Sequence, residues 1–155
     1  MAYSIRPLDS DAQTSGFDCG EKALDDYLQR YASQDVKRGT ARVFVASPVG
    51  QPQVICGFFT LSAASIAVET LPEKWRKKLP RYPVPVALIG RLAVSRQSHG
   101  RGLGSILIAD ACNRVTAASE TLAVAAIIVD AKSPMAAAFY QHLGFTELPG
   151  QPGRW

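Results

Sequence analysis

The chain has 155 residues, 47% of them hydrophobic and 19% charged, which allows a substantial core and excludes a disordered or fibrous class. Seventeen Lys and Arg against thirteen Asp and Glu give a net charge of +4, which suits an anionic cofactor or a polyanionic partner. The three scattered cysteines, Cys19, Cys56 and Cys112, fit neither a disulfide framework nor a metal site and are expected to be reduced thiols in a cytoplasm. The opening MAYSIRPLDSD lacks the layout of a secretory signal, and no apolar run is long enough to span a bilayer.

No repeat or linker divides the chain, so one domain over 1–155 is expected. YSIRPL (3–8) reads as an edge strand. Leu24, Tyr27, Leu28, Tyr31, Ala32 and Val36 recur at helical spacing and predict one amphipathic helix, or two short ones, over about 20–38. Segments 41–47 and 54–66 are β-rich and flank turn residues, which predicts a hairpin. A short helix is expected over 72–78 between Pro72 and Pro80, then a strong strand over 84–94. Helical period returns over 103–118, with Leu103, Leu107, Ala111 and Val115 in one row. LAVAAIIVD (122–130) reads as a strand buried on both faces. Ser133 and Pro134 suit the start of another helix, Gly144 its end, and 145–148 a last strand. This order predicts an α/β fold with a mixed sheet flanked by helices.

The most informative stretch is LAVSRQSHGRGLGSIL (92–107). A strand runs into Gln97-x-x-Gly100-x-Gly102, then Gly104, and a helix starts at once. Backbone N–H groups at such a helix N-terminus bind a pyrophosphate, and glycines let the main chain approach it. Arg96 and Arg101 add positive charge beside the expected phosphates. Neither a P-loop nor a dinucleotide-binding domain fits, because GxxxxGK[ST] is missing and the turn falls two-thirds along the chain.

The segment resembles the acetyl-coenzyme A signature of the GNAT acetyltransferase superfamily, Q/R-x-x-G-x-G/A. The final Phe139-Tyr140-Gln141-His142-Leu143-Gly144-Phe145 resembles the family's FY-x-x-x-GF. The likeness covers almost the whole chain. It implies a GNAT fold whose mixed central sheet has a V-shaped splay between two parallel strands, flanked by about four helices. It also implies acetyl-CoA as acetyl donor, with no metal. The pantetheine arm is then expected against the backbone of Ala93 and Val94. The wider cofactor set is Leu92, Gln97, His99, Gly100, Arg101, Gly102, Leu103, Gly104, Ser105, Ser133 and Phe139.

Acetyl transfer to an amine expels a thiolate, which benefits from a proton donor, and a tyrosine hydroxyl has a suitable reference pKa of about 10. Tyr140 matches the position of the family's acid; its alternative role is packing. Met135, Phe139 and Leu143 form an i, i+4, i+8 row expected to face the core, with Tyr140 one step round and turned to the cleft. No general base stands out; His99 and His142 are the two histidines. An α-amino group, titrating near ~7.7–8.0, is partly neutral without a base.

Three segments, 17–46, 85–105 and 129–145, also resemble one GNAT branch in particular, the toxins of bacterial toxin–antitoxin pairs that acetylate the α-amine of aminoacyl-tRNA. The F-x-C-G…LD-x-YL pattern is met by Phe17, Cys19, Gly20, Leu24, Asp25, Tyr27 and Leu28; the one departure from the branch is Ser95, after Leu92-Ala93-Val94, where aspartate is usual. This resemblance implies aminoacyl-tRNA as substrate, a ribbon-helix-helix antitoxin and a homodimer. Arg30, Lys37, Arg38, Arg76, Lys77, Lys78 and Arg91 are the cations expected to meet tRNA around the cleft mouth; singly, each equally suits a solvated surface. Two rivals stand beside this reading: a GNAT enzyme acting on a small amine or protein N-terminus, and a non-catalytic acetyl-CoA-binding module.

Overall fold

The computed structural model describes residues 2–155. Five strands, β1 (Tyr3–Pro7), β2 (Arg42–Pro48), β3 (Gly57–Ile66), β4 (Val84–Val94) and β5 (Ala126–Val129), lie side by side in chain order. The first three pairings are antiparallel, and β4 pairs with β5 in parallel. Four helical segments flank this mixed sheet. The first comprises α1 (Lys22–Asp26), a π-helical turn (Tyr27–Tyr31) and α2 (Ala32–Arg38); the others are α3 (Glu73–Arg76), α4 (Leu103–Ala118) and α5 (Pro134–His142).

Period-2 alternation in the strands sets the two faces. Val43, Val45 and Phe58 point to the first helical segment, where they pack with Leu24, Leu28 and Ala32. Ala46 and Phe59, one residue along each strand, point the other way, to Leu103, Leu107 and Ala111 of α4 and Tyr140 of α5. Phe58 is a hub of the first layer: Phe17 meets it edge-on with centroids 5.5 Å apart, and Tyr27 stacks at 6.3 Å.

Sequence periodicity places the first helical segment well but misses its π-helical turn. The Ala32 N–H bonds to the Tyr27 carbonyl, i to i+5, which advances the helical phase past an ideal 3.6 repeat. Tyr31 is carried out of the apolar stripe and is 53% exposed.

Three further expectations change. The strand expected at 122–130 shortens to Ala126–Val129. The amides of Thr121 and Leu122 are taken by the Ala118 carbonyl at the end of α4, and pairing with β4 starts only at the Pro85 carbonyl. The strand expected at 145–148 does not form. Its place beyond β5 goes to the chain's tail, where Val129 and Trp155 exchange both backbone bonds and Ala131 donates to Gly153. In α5, Met135 and Leu143 lie outside the core, 85% and 38% exposed. The helix instead buries Ala136 and Tyr140 at i, i+4, with Phe139 beside them.

Leu107 is fully buried at the centre of the α4 layer. Leu107→Ala is expected to lower unfolding free energy by about 2–5 kcal/mol, read from the urea midpoint.

Candidate active site

β4 and β5 pair only from Val86↔Ala126 to Ile89↔Val129, and the Asp130 amide makes the last bond to the Ile89 carbonyl. Beyond that point β4 runs on through Val94 while paired only to β3, so the two strands part in a V. The Ser95 amide bonds to the Cys56 carbonyl. Alternation along an antiparallel ladder then turns Ala93's peptide groups to Phe58, and those of Leu92 and Val94 into the gap. The main-chain groups facing the gap, unpaired to any strand there, are therefore those of Leu92 and Val94, whereas Ala93 was expected to share this role. His99 Nε2 reaches the Val94 carbonyl at 2.8 Å. A carbonyl only accepts, so Nε2 carries the proton.

At the wide end of the V stands the glycine-rich turn. Gly100 and Gly102 have φ of +77° and +76°, a conformation that favours glycine, and Gly102 caps α4. The first α4 amide with an intrahelical acceptor is that of Ile106, which bonds to Gly102. The amides of Leu103, Gly104 and Ser105 precede it and point out of a sixteen-residue helix with no acidic residue in its first turn. Gly104 has a different reason to be glycine: a Cβ there would lie 3.2 Å from the Phe139 ring. The turn and Phe139 line a cavity of about 240 Å³. Gln97 and Arg101 are exposed and do not line this cavity; Gln97 instead lines a separate one with Asp18 and Arg96. Arg96 is turned elsewhere: it pairs with Asp18 at 3.1 Å and lies over Gly20, so it does not add charge at the phosphate site as expected.

That pair explains the Phe17–Gly20 motif. The Asp18 carboxylate accepts from Arg96 and the Gly20 amide, the Arg96 amide donates to the Asp18 carbonyl, and the Cys19 amide donates to Asp25. The N-terminal loop is thus latched to the turn. Ser95, where aspartate is usual, is buried, with its hydroxyl 3.4 Å from that of Ser98. Cys19 is buried too; burial and the neighbouring Asp25 push its thiol up to about 12, which leaves it a poor nucleophile.

Val94 and His99 are shared between the turn cavity and a narrower one of about 140 Å³, where Leu92, Ser133 and Tyr140 meet. Ser133 caps α5 by accepting from the Ala136 amide at 3.1 Å, and Pro134 begins the helix. Gly144, at φ +102°, ends it, with Phe145 donating back to the Tyr140 carbonyl. Both ends of α5 are therefore pinned, and Tyr140 is held on the cavity wall, 2% exposed. Burial, aided by the Asp130 carboxylate, pushes its pKa up to about 12. Asp130 itself is held by Arg154 through two hydrogen bonds of 2.9 and 3.3 Å.

Glu21, Leu24 and Lys132 are shared in turn with a third cavity, of about 380 Å³, walled by Tyr27, Tyr31 and Arg91. The structure therefore lines up an amide-rich turn, a buried phenol and a cationic mouth along one side of β4. Sequence reasoning missed Tyr31, Asp130, Lys132 and Glu21 here. Only Asp130 carried a signal, as the first polar residue after an apolar strand. Of the cations expected at the mouth, Arg91 lines it; Arg30 lies on the π-helical turn, and Lys37 and Arg38 end α2. Arg76, Lys77 and Lys78 precede the start of β4, at the other end of that strand from Val94, and so sit away from the mouth. None of these seven joins an ion pair among the described residues. No group of metal-ligating side chains occurs among the described residues either.

A splayed mixed sheet, a phosphate-binding turn at its opening and a buried phenol define an acyl-CoA-dependent acyltransferase. Residues 39–147 match the Acetyltransferase (GNAT) domain, and the chain belongs to that family of acetyltransferases. It is 41% identical to a tRNA-acetylating toxin of Mycobacterium tuberculosis over 95% of this chain and 86% of that protein. Its fold matches AtaT complexed with acetyl-methionyl-tRNAfMet, with a TM-score of 0.90, 30% identity, and coverage of 99% of this chain and 92% of that one. It also matches a Tyr-to-Phe mutant of AtaT bound to acetyl-CoA and the C-terminus of the antitoxin AtaR (TM-score 0.82, 26% identity, 99% and 92% covered).

Because the folded pKa of Tyr140 is about 12, its proton stays bound through neutral pH and is lost only as pH rises through that value. A pH–kcat profile at saturating substrates is expected to show no alkaline limb from Tyr140 between pH 7 and about pH 10.

Proposed function

We propose that this chain is a toxin that transfers acetyl from acetyl-CoA to the α-amino group of aminoacyl-tRNA, removing that amine from peptide-bond formation and so blocking translation. The observation that carries the reading is the unbroken path from the amides of α4, past Tyr140, to a mouth bearing Arg91 and Lys132. Its likeness to a tRNA-acetylating toxin and to AtaT with acetylated tRNA supports the same substrate. The whole chain, 1–155, acts as one catalytic domain, and a tRNA substrate places it in the bacterial cytoplasm.

In this mechanism the amides of Leu103, Gly104 and Ser105 hold the pyrophosphate at the positive end of α4, while Gly100 and Gly102 shape the turn. The free peptide groups of Leu92 and the Val94 amide hold the pantetheine arm, which brings the thioester beneath Tyr140. The acceptor nitrogen attacks the carbonyl carbon, the C–N bond forms, and the tetrahedral intermediate collapses with loss of the C–S bond. Tyr140 gives its phenolic proton to the departing thiolate, and the nitrogen sheds one to solvent. Both anions, phenolate and thiolate, are penalised in the same dry pocket, so burial keeps the donor protonated without favouring the unprotonated sulfur. An acceptor α-amine is partly neutral at physiological pH, so the step needs no dedicated base.

A ribbon-helix-helix antitoxin and a homodimer complete the proposal; the antitoxin-bound state of AtaT supports an antitoxin partner. Incubating the protein with labelled acetyl-CoA and total charged tRNA is expected to label aminoacyl-tRNA. Label confined to small amines or a protein N-terminus would replace the substrate. Tyr140→Phe is expected to slow turnover ~10²–10⁴-fold in single-turnover assays; parental rates with this variant would remove Tyr140 from the mechanism, and absent turnover by the wild-type protein would leave a binding module in place of an enzyme. Charge reversal at Arg38 is expected to weaken tRNA binding and flatten its salt dependence, read by titration at several salt concentrations; the same change at Arg76, Lys77 and Lys78, away from the mouth, is expected to have the smaller effect.

A further inference from the structure

The third cavity contains more than a generic cationic rim. Tyr27 is clamped on three sides. Phe58 stacks beneath it at 6.3 Å, its hydroxyl donates to Asp35 at 2.7 Å, and the Arg91 guanidinium lies over its other face, 3.7 Å from the centroid. Donation to a carboxylate enriches the ring and strengthens the cation–π contact. Arg91 is thereby held on a buried support, lines the cavity, and joins no ion pair among the described residues. Lys132, from the turn between β5 and α5, contributes a second cation to the same cavity. The π-helical turn brings Tyr31 onto the wall, its ring half-exposed.

We infer that this cavity is the subsite for the 3′-terminal nucleotide of the acceptor, with Tyr31 stacking the base and Arg91 and Lys132 holding its phosphodiester. The inference rests on the aminoacyl-tRNA reading and deepens it. In an aminoacyl ester the terminal ribose is only a few bonds from the α-amine. Once that amine occupies the 140 Å³ pocket at Tyr140, the nucleotide must fill the adjoining 380 Å³. An aromatic face beside two cations is how single-stranded nucleic acid is held: the base stacks and the backbone is neutralised. The one carboxylate in the cavity, Glu21, lies on the wall shared with the Tyr140 pocket, at the amine end. π-helical turns are uncommon and recur at functional sites, and this one does local work: in an uninterrupted α-helix Tyr31 would continue the buried stripe.

The test compares two acceptors carrying the same amino acid, the charged tRNA and the amino-acid methyl ester, with the trinucleotide CCA as competitor. Tyr31→Ala is expected to lower kcat/KM for charged tRNA by about 5- to 150-fold, the alanine-scan range for one base stack. It should weaken CCA inhibition in parallel, while kcat/KM for the methyl ester and the KM for acetyl-CoA stay at parental values. Tyr31→Phe restores the tRNA rate. Arg91→Gln is expected to make the salt dependence of tRNA binding shallower by ~0.7, one single-strand phosphate contact. Equal losses with both acceptors, or CCA inhibition unaffected by Tyr31→Ala, would overturn the subsite, because the cavity would then hold the amino-acid portion. Wild-type protein that acetylates the ester and no charged tRNA would overturn the proposed function itself, before any variant is made.

Discussion

A parallel pair of strands that stops pairing halfway is the constraint around which the rest of the molecule is arranged. Past Ile89 and Val129 the peptide groups of β4 lose their β5 partners. In a protein interior such groups must find others. Here one finds the His99 ring, and the remainder face the cavity at Tyr140. The gap therefore follows from sheet topology, and the chemistry takes advantage of backbone that the fold cannot satisfy by itself. Everything that lines the gap is braced from outside it: Ser133 and Gly144 fix the two ends of α5, the Asp18–Arg96 pair fixes the turn, and Phe58 underpins Tyr27.

Electrostatics along the gap are graded. One end offers uncancelled helix amides, the middle buries a phenol and keeps it neutral, and the mouth presents guanidinium and ammonium groups that join no ion pair among the described residues. The Asp130–Arg154 pair sits between these zones. It keeps a carboxylate near Tyr140, which raises the phenol's pKa further, while the guanidinium offsets the charge of that carboxylate. A cysteine in the same pocket stays inert because the environment that protects the Tyr140 proton protects its own.

The strong local signals were legible in the sequence. Glycines at 100 and 102 marked left-handed backbone, Ser133 and Pro134 marked a helix start, and the apolar rows of β2 to β4 and α4 gave the sheet and its main helix. Elements decided by competition for hydrogen bonds were not legible. Residues 122–125 look like strand, but the Leu122 amide goes to the Ala118 carbonyl of α4 and contact with β4 begins only where the Ala125 amide reaches the Pro85 carbonyl; the tail outcompetes 145–148 for the edge of β5. The α5 stripe was misphased because a nine-residue helix offers only two turns from which to judge a face, and Ala136 looks neutral in any pattern. Tyr31 was misassigned for a sharper reason: a single i to i+5 bond moves every later residue round the axis, and no composition rule announces it. At the site, the turn and Tyr140 were found by motif, whereas Lys132 and Glu21 become neighbours of Tyr140 only through folding.

The short tail beyond β5 also matters for solubility. A four-residue parallel strand at the margin of a sheet leaves a row of donors and acceptors that a second molecule could adopt as its own next strand. By folding Gly153–Trp155 back onto Val129 and Ala131, the chain occupies that margin with its own backbone. The side of the sheet nearest the catalytic gap is thereby closed to intermolecular strand addition, and the gap itself is left as the place where a foreign chain can enter.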